Sequence, residues 1–176
     1  MSNFKEDLRN VKAFVFDVDG VFSNGNIYLD PEGKYIRSMN IKDGYAVQFA
    51  VKQGFPVAVI TGGSSISVKI RFNDLGVTDI YLQSSNKFED FNDFILKYGL
   101  DPQYVLYMGD DLPDLEVMMN TGIPTCPADS VEEIKSVSKY ISGIKGGEGC
   151  VRDVIEQVLR AQGKWMDKEA LKTPAK

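Results

Sequence analysis

Short apolar runs alternate with segments of helical spacing along this 176-residue chain, and no other feature constrains its fold as much. The runs lie in "AFVFDVDG", "PVAVITGG", "DIYLQ", "YVLYMGDD" and "GIPTCPA". Each is brief and nearly all apolar, which suits a strand covered on both faces. Between them, "DGYAVQFAVKQG", "SISVKIRFNDLG" and "KFEDFNDFILKYG" have helical spacing. The last places Phe88, Phe91, Ile95 and Tyr98 at steps of three and four. Strands alternating with helices predict an α/β fold: a doubly wound, Rossmann-like parallel sheet with right-handed crossovers and a site at the carboxyl ends of its strands.

Two segments break the alternation. "GNIYLDPEGKYIRSMNI" sets two β-prone runs around the turn Asp30-Pro31-Glu32-Gly33, so a β-hairpin is expected over about residues 25–41. Residues 164–176 are polar apart from Trp165, Met166 and Leu171, and read as a loosely held tail whose apolar residues could dock on a neighbour. Residues 1–163 are expected to form one domain.

Composition removes several classes of function. With no histidine in the chain, a Ser-His-Asp triad, a Cys-His dyad and a His-ligated zinc are impossible. The net charge is −5 and the basic residues are scattered, which argues against a nucleic-acid partner. The apolar runs are far shorter than a bilayer span, and "MSNFKEDLRN" lacks the pattern of a signal peptide. A cytoplasmic protein with no membrane partner is expected. Cys126 and Cys150 form no CxxC pair and read as reduced thiols.

The chemistry gathers where the apolar runs end. Asp17 and Asp19 are one residue apart, so in an extended chain both face the same way, and Gly20 lets the backbone turn. In isolation a solvated turn is the better explanation, since a lone DxDG arises readily by chance. A second run ends in Asp110, Asp111 and Asp114. Asp111 suits the N-cap of a helix starting near Leu112, and Asp114 its first turn, but capping does not explain Asp110. Two acidic strand ends on one parallel sheet open to the same edge and could assemble an oxygen-ligand site for Mg²⁺. A third run ends in Thr61, Gly62, Gly63, Ser64 and Ser65, a turn that offers N–H groups and hydroxyls to a phosphate, or simply an N-cap. Lys87 begins the helix after the fourth run. It is either a solvated cation or the ammonium that lets a phosphate dianion approach so many carboxylates.

Taken in order, DxD, Thr, Lys and GDDxxD on successive strand ends resemble the four-motif pattern of the haloacid dehalogenase superfamily, in its phosphatase branch, over nearly the whole chain. The resemblance implies that Asp17 is the nucleophile and that Asp19 is the acid and base, its backbone carbonyl also reaching the metal. It further implies that Thr61 and Lys87 orient the phosphate, with Gly62 and Gly63 beside them. Asp17, Asp19 and Asp110 would then hold Mg²⁺, and Asp111 and Asp114 would support the metal's waters or Lys87. The intervals from Asp17 to Thr61 and from Thr61 to Lys87 leave no room for the cap domain that many members insert. An uncapped site lies open, and a neighbouring subunit, assembled through the hairpin, is expected to cover it.

Within the superfamily, "FDVDGVFSNGNIY" with "KDGYAV", "ITGGSSISVKIRFNDLGV" and "KGGEGCVRDVIEQVL" resemble the 3-deoxy-D-manno-octulosonate 8-phosphate phosphatases. That implies a homotetramer using Mg²⁺ on a phosphorylated sugar acid in lipopolysaccharide precursor synthesis. It also implies that Gly146, Gly147, Gly149 and Arg152 reach a neighbour's site and that Arg71 meets a sugar-acid carboxylate, although a solvated helix cation is an equal reading of Arg71. One departure is plain: many members carry an arginine after the Thr-Gly pair, and this chain has Gly63. A phosphatase for nine-carbon sialic-acid-type 9-phosphates shares all four motifs and stays open as an alternative. A phospho-receiver module has a different motif order, and a non-catalytic oligomerisation domain would not need every motif residue.

Overall fold

A computed structural model describes residues 4–166. The short helix α1 (Phe4–Asp7) leads into β1 (Ala13–Phe16), after which the hairpin strands β2 (Tyr28–Leu29) and β3 (Tyr35–Ile36) leave the body. The chain returns through α2 (Ile41–Lys52), β4 (Val57–Ile60), α3 (Ile66–Asp74), β5 (Asp79–Tyr81), α4 (Lys87–Tyr98) and β6 (Val105–Met108). It finishes with α5 (Leu115–Asn120), β7 (Ile123–Cys126), α6 (Glu132–Val137), β8 (Tyr140–Ile141) and α7 (Cys150–Ala161). The main sheet is parallel, in the order β5-β4-β1-β6-β7-β8, as the alternation predicts.

Period-two alternation decides which helix each strand residue meets. Phe14, Phe16, Val57, Val59, Leu106 and Met108 face the side covered by α2, α3 and α7. Ala13, Val15, Ala58, Ile60, Val105 and Tyr107 face α4, α5 and α6. All four residues of β1, β4 and β6 are therefore buried, which is why these strands read as continuous apolar runs. β8 was invisible to that reading because its two residues form an edge against β7.

Register aligns the strand ends that carry the motifs. Phe16 lies opposite Val59 on one side and Met108 on the other, while Ile60 lies opposite Tyr81. The chain therefore emerges at one edge of the sheet as Asp17, Thr61 and Gly109-Asp110, with the loop to Lys87 alongside. β1 stands at the centre, where the strand order reverses, as expected of a doubly wound site.

The hairpin forms within the expected segment, and no cap domain interrupts the sheet among the described residues. Its residues Tyr28, Leu29, Tyr35 and Ile36 are all exposed. Trp165, expected in a loose tail, instead packs on Phe49 of α2 with ring centroids 5.2 Å apart, beneath the guanidinium groups of Arg152 and Arg160. Leu171, with the rest of residues 167–176, lies outside the described residues.

Candidate active site

Lys87 is the hub of the strand ends. Asn86 caps α4 by accepting from the N–H groups of Phe88 and Glu89, which fixes Lys87 as its first residue. From there Nζ reaches 2.8 Å to Asp17 Oδ1 and 2.7 Å to Asp114 Oδ1. Burial works against the ammonium, but the two carboxylates outweigh it and raise the lysine pKa above its ordinary value. Lys87 is thus a fixed cation.

Asp114 is almost fully engaged. Its Oδ1 also accepts from the Tyr107 hydroxyl at 2.6 Å, and its Oδ2 accepts from the Asp110 N–H at 3.1 Å. Asp111 caps the turn Leu112–Asp114 by accepting from the Leu112 N–H, as the sequence suggested, and Asp114 completes a capping box that the sequence reading did not foresee; the Asp111 side chain is exposed.

Asp17, Asp110 and Asp114 present carboxylate oxygens within 4.8 Å of one another. Asp17 lies well above the usual carboxylate range, because burial and the Asp114 charge together exceed what Lys87 offsets. Asp110 is pushed up to about 7 by burial and by Asp114. One ammonium cannot neutralise two buried acids and a half-buried third, so the cluster calls for a further hard cation. Gly20 is shaped for the same purpose: at φ +90° it adopts a conformation that L side chains rarely take, and a Cβ there would overlap the Asp110 carboxylate. The donor set fits Mg²⁺: Asp17 and Asp110 could offer it carboxylate oxygens, while Asp114 is committed to Lys87, Tyr107 and the loop.

On the neighbouring strand, Thr61 is buried and its Oγ1 accepts from the Gly63 N–H at 3.1 Å, leaving the hydroxyl proton free to point at a ligand. The Ser84 N–H donates to the Thr61 carbonyl and holds the loop toward Lys87 against this turn. Ser65 occupies the N-cap position of α3 without a side-chain capping bond, so capping does not explain the Ser-rich turn.

These parts surround one open cleft of about 880 Å³. Asp17, Asp19, Thr61, Gly62, Gly63, Lys87, Asp110, Asp111 and Asp114, the residues expected at the site, all line it. Six of its lining residues are aspartate or glutamate, against one lysine. Arg71 is not among them. Its guanidinium packs against Gly44 of α2, because α3 turns that face toward α2. The glycine segment is anchored to its own chain by two hydrogen bonds: the Gly147 N–H donates to the Val21 carbonyl at 2.9 Å, and the Gly146 N–H to Asp129 Oδ1 at 2.9 Å. In this position it buttresses the loop after β1.

Sequence reasoning passed over two residues at the site. Tyr107 counts as one more apolar letter of β6, and only its partner Asp114 reveals the polar tip. Arg37, just past β3, forks onto Asp19, with Nε 2.5 Å from Oδ1 and Nη2 3.0 Å from Oδ2.

Known proteins resemble this chain in sequence and in fold. Residues 63–152 match the haloacid dehalogenase-like hydrolase family. The 3-deoxy-D-manno-octulosonate 8-phosphate phosphatase KdsC of Escherichia coli K12 is 38% identical over 155 residues, spanning 88% of this chain and 82% of that protein. The chain belongs to the haloacid dehalogenase-like hydrolases.

Solved structures of this hydrolase family superpose closely. The octulosonate 8-phosphate phosphatase of Yersinia pestis matches with a TM-score of 0.90 at 33% identity, over 93% of this chain and 88% of that one. The enzyme of Moraxella catarrhalis, solved with magnesium ion, phosphate ion and KDO, matches with a TM-score of 0.89 at 33% identity, over 94% and 95%.

Proposed function

We propose that this hydrolase is a Mg²⁺-dependent phosphatase that releases phosphate from 3-deoxy-D-manno-octulosonate 8-phosphate. The observation that carries the reading is the Asp17-Lys87-Asp114-Asp110 constellation on adjoining strand ends, in a chain 38% identical to phosphatases of that name.

The residues divide the work as follows. Asp17 attacks phosphorus through a carboxylate oxygen, forming a P–O bond to the enzyme as the P–O bond to the sugar breaks. Asp19, protonated on an oxygen released from the Arg37 fork, gives that proton to the departing sugar oxygen, then takes a proton from the water that attacks the aspartyl-phosphate and restores Asp17. Lys87, the Thr61 hydroxyl and the turn at Gly62-Gly63 hold the phosphoryl oxygens in line. Asp17, the Asp19 carbonyl and Asp110 would hold Mg²⁺, which when bound would offset charge building on those oxygens. Asp114 fixes Lys87, and Asp111 fixes the loop that carries Asp110.

Assembly into a homotetramer completes the proposal. The exposed apolar residues of the hairpin, with Leu29 70% exposed and Tyr28 61%, form a patch of the kind that a second copy covers. Two free buried thiols suit a reducing cytoplasm, and among the described residues no helix is long and apolar enough to cross a membrane. The product would enter lipopolysaccharide precursor synthesis.

Phosphate release with Mg²⁺ tests the reading on the octulosonate 8-phosphate, sialic-acid-type 9-phosphates and hexose phosphates. A marked preference for the octulosonate is expected. Comparable or faster turnover of the nine-carbon acids would move the activity to those substrates, the outcome that Gly63 keeps in view, and no turnover of any would refute the phosphatase reading.

A further inference from the structure

The geometry points to Arg37 as the residue that positions Asp19, an inference that rests on the acid-base reading of Asp19. Arg37 follows β3, in a hairpin whose strands pair over only two residues each and expose their side chains. A two-stranded hairpin of this size is marginal alone. Yet the Arg37 side chain is only 9% exposed, because it turns inward and sets its planar fork on both oxygens of Asp19. Two-point contact fixes the plane of a carboxylate as well as its place. The other side-chain contact of Asp19, from the Ser23 hydroxyl to Oδ1, is 3.4 Å long and holds it weakly.

Gly63 makes room for this arrangement. Arg37 Nη2 lies 3.3 Å from where a Cβ on Gly63 would stand, and Thr61 Oγ1 lies 3.4 Å from the same point. A Cβ at 63 would make the guanidinium tip give by a few tenths of an ångström, so glycine leaves the fork its place beside the phosphate turn. The hairpin therefore does more than present an apolar surface. Through Arg37 it orients the group that moves the proton, so hairpin placement and turnover are coupled.

Steady-state kinetics on Arg37→Ala, Arg37→Gln and Arg37→Lys, with melting temperatures alongside, test the assignment. A misdirected Asp19 should lower kcat roughly 10- to 100-fold while KM stays within about threefold. Arg37→Lys, which keeps the charge without the fork, should fall between wild type and Arg37→Ala, with melting temperatures essentially unchanged. Wild-type kcat in both Arg37→Ala and Arg37→Gln would overturn the inference. So would a rise in KM alone, which would make Arg37 a substrate contact, or a kcat loss that tracks falling melting temperature. Asp19→Asn is the reference: if its turnover matches wild type, the underlying role of Asp19 fails. If Asp19→Asn is impaired while Arg37→Ala is not, only the Arg37 inference fails.

Discussion

The Tyr107 hydroxyl donates a 2.6 Å hydrogen bond to Asp114 Oδ1, at a fully buried position on β6. Burial first, and the neighbouring Asp114 charge next, raise the phenol well above its ordinary pKa, so it stays a donor throughout the working pH range. Tyr107→Phe removes the donor while keeping the ring against Phe91. It should destabilise the protein by about 1–3 kcal/mol and lower kcat severalfold, because Asp114 then holds Lys87 less firmly. Denaturant melts and initial rates check both, and wild-type values for both would show the hydrogen bond to be idle.

Metal binding should be visible without turnover. Asp17, Asp110 and Asp114 crowd three acids around one ammonium, so a divalent cation relieves repulsion in the folded state alone. Saturating Mg²⁺ at about a hundredfold excess over Kd should add about 2.7 kcal/mol to stability. Chelation should reverse the gain and abolish phosphate release. In Asp110→Asn the thermal shift with Mg²⁺ should shrink sharply, and an undiminished shift would place the ion elsewhere.

Asp43 governs stability at a distance from the cleft. From α2 it accepts the Arg152 N–H at 2.7 Å and so caps α7, while its Oδ2 has no hydrogen-bond partner. Burial raises its pKa to about 6 against the opposing pull of that bond. A carboxyl raised on folding is most favourable to the folded state below its unfolded pKa. Its contribution is therefore full below about pH 3.8 and is lost as pH rises through 6. Asp43→Asn keeps the cap without the charge. It should stabilise the protein at pH 7 and flatten the pH dependence between 4 and 6, whereas Asp43→Ala should cost about 0.5–2 kcal/mol through the lost cap. Urea midpoints across that range check the sign.

The sequence was most legible where one force acts alone. Residues such as Phe14 and Val15, Val57 and Ala58 are buried on opposite faces, so burial writes both as apolar letters and the strands stand out. Asp17, Thr61, Lys87 and Asp110 were readable because parallel strands must deliver their ends to one edge, whatever the side-chain detail. Arg71 shows the limit of that logic. Its position along α3 was known, but its direction depends on packing between α3 and α2 over Gly44. Arg37 was hidden for a related reason: it comes from a hairpin outside the alternation, and only the folded chain brings it 18 residues back to Asp19. Trp165 looked like part of a tail because its partner Phe49 lies far away in sequence.

The central claim is that Asp17 carries the phosphoryl group between substrate and water. It is tested most directly by acid-quenching the enzyme during turnover of 3-deoxy-D-manno-octulosonate 8-phosphate with Mg²⁺ and mapping the modified peptide by mass spectrometry. The predicted result is a phosphoryl group on Asp17, accumulating in Asp19→Asn and absent from Asp17→Asn, which releases no phosphate. Phosphate release by Asp17→Asn at a rate near wild type, or a phosphoryl group on another residue, would contradict it.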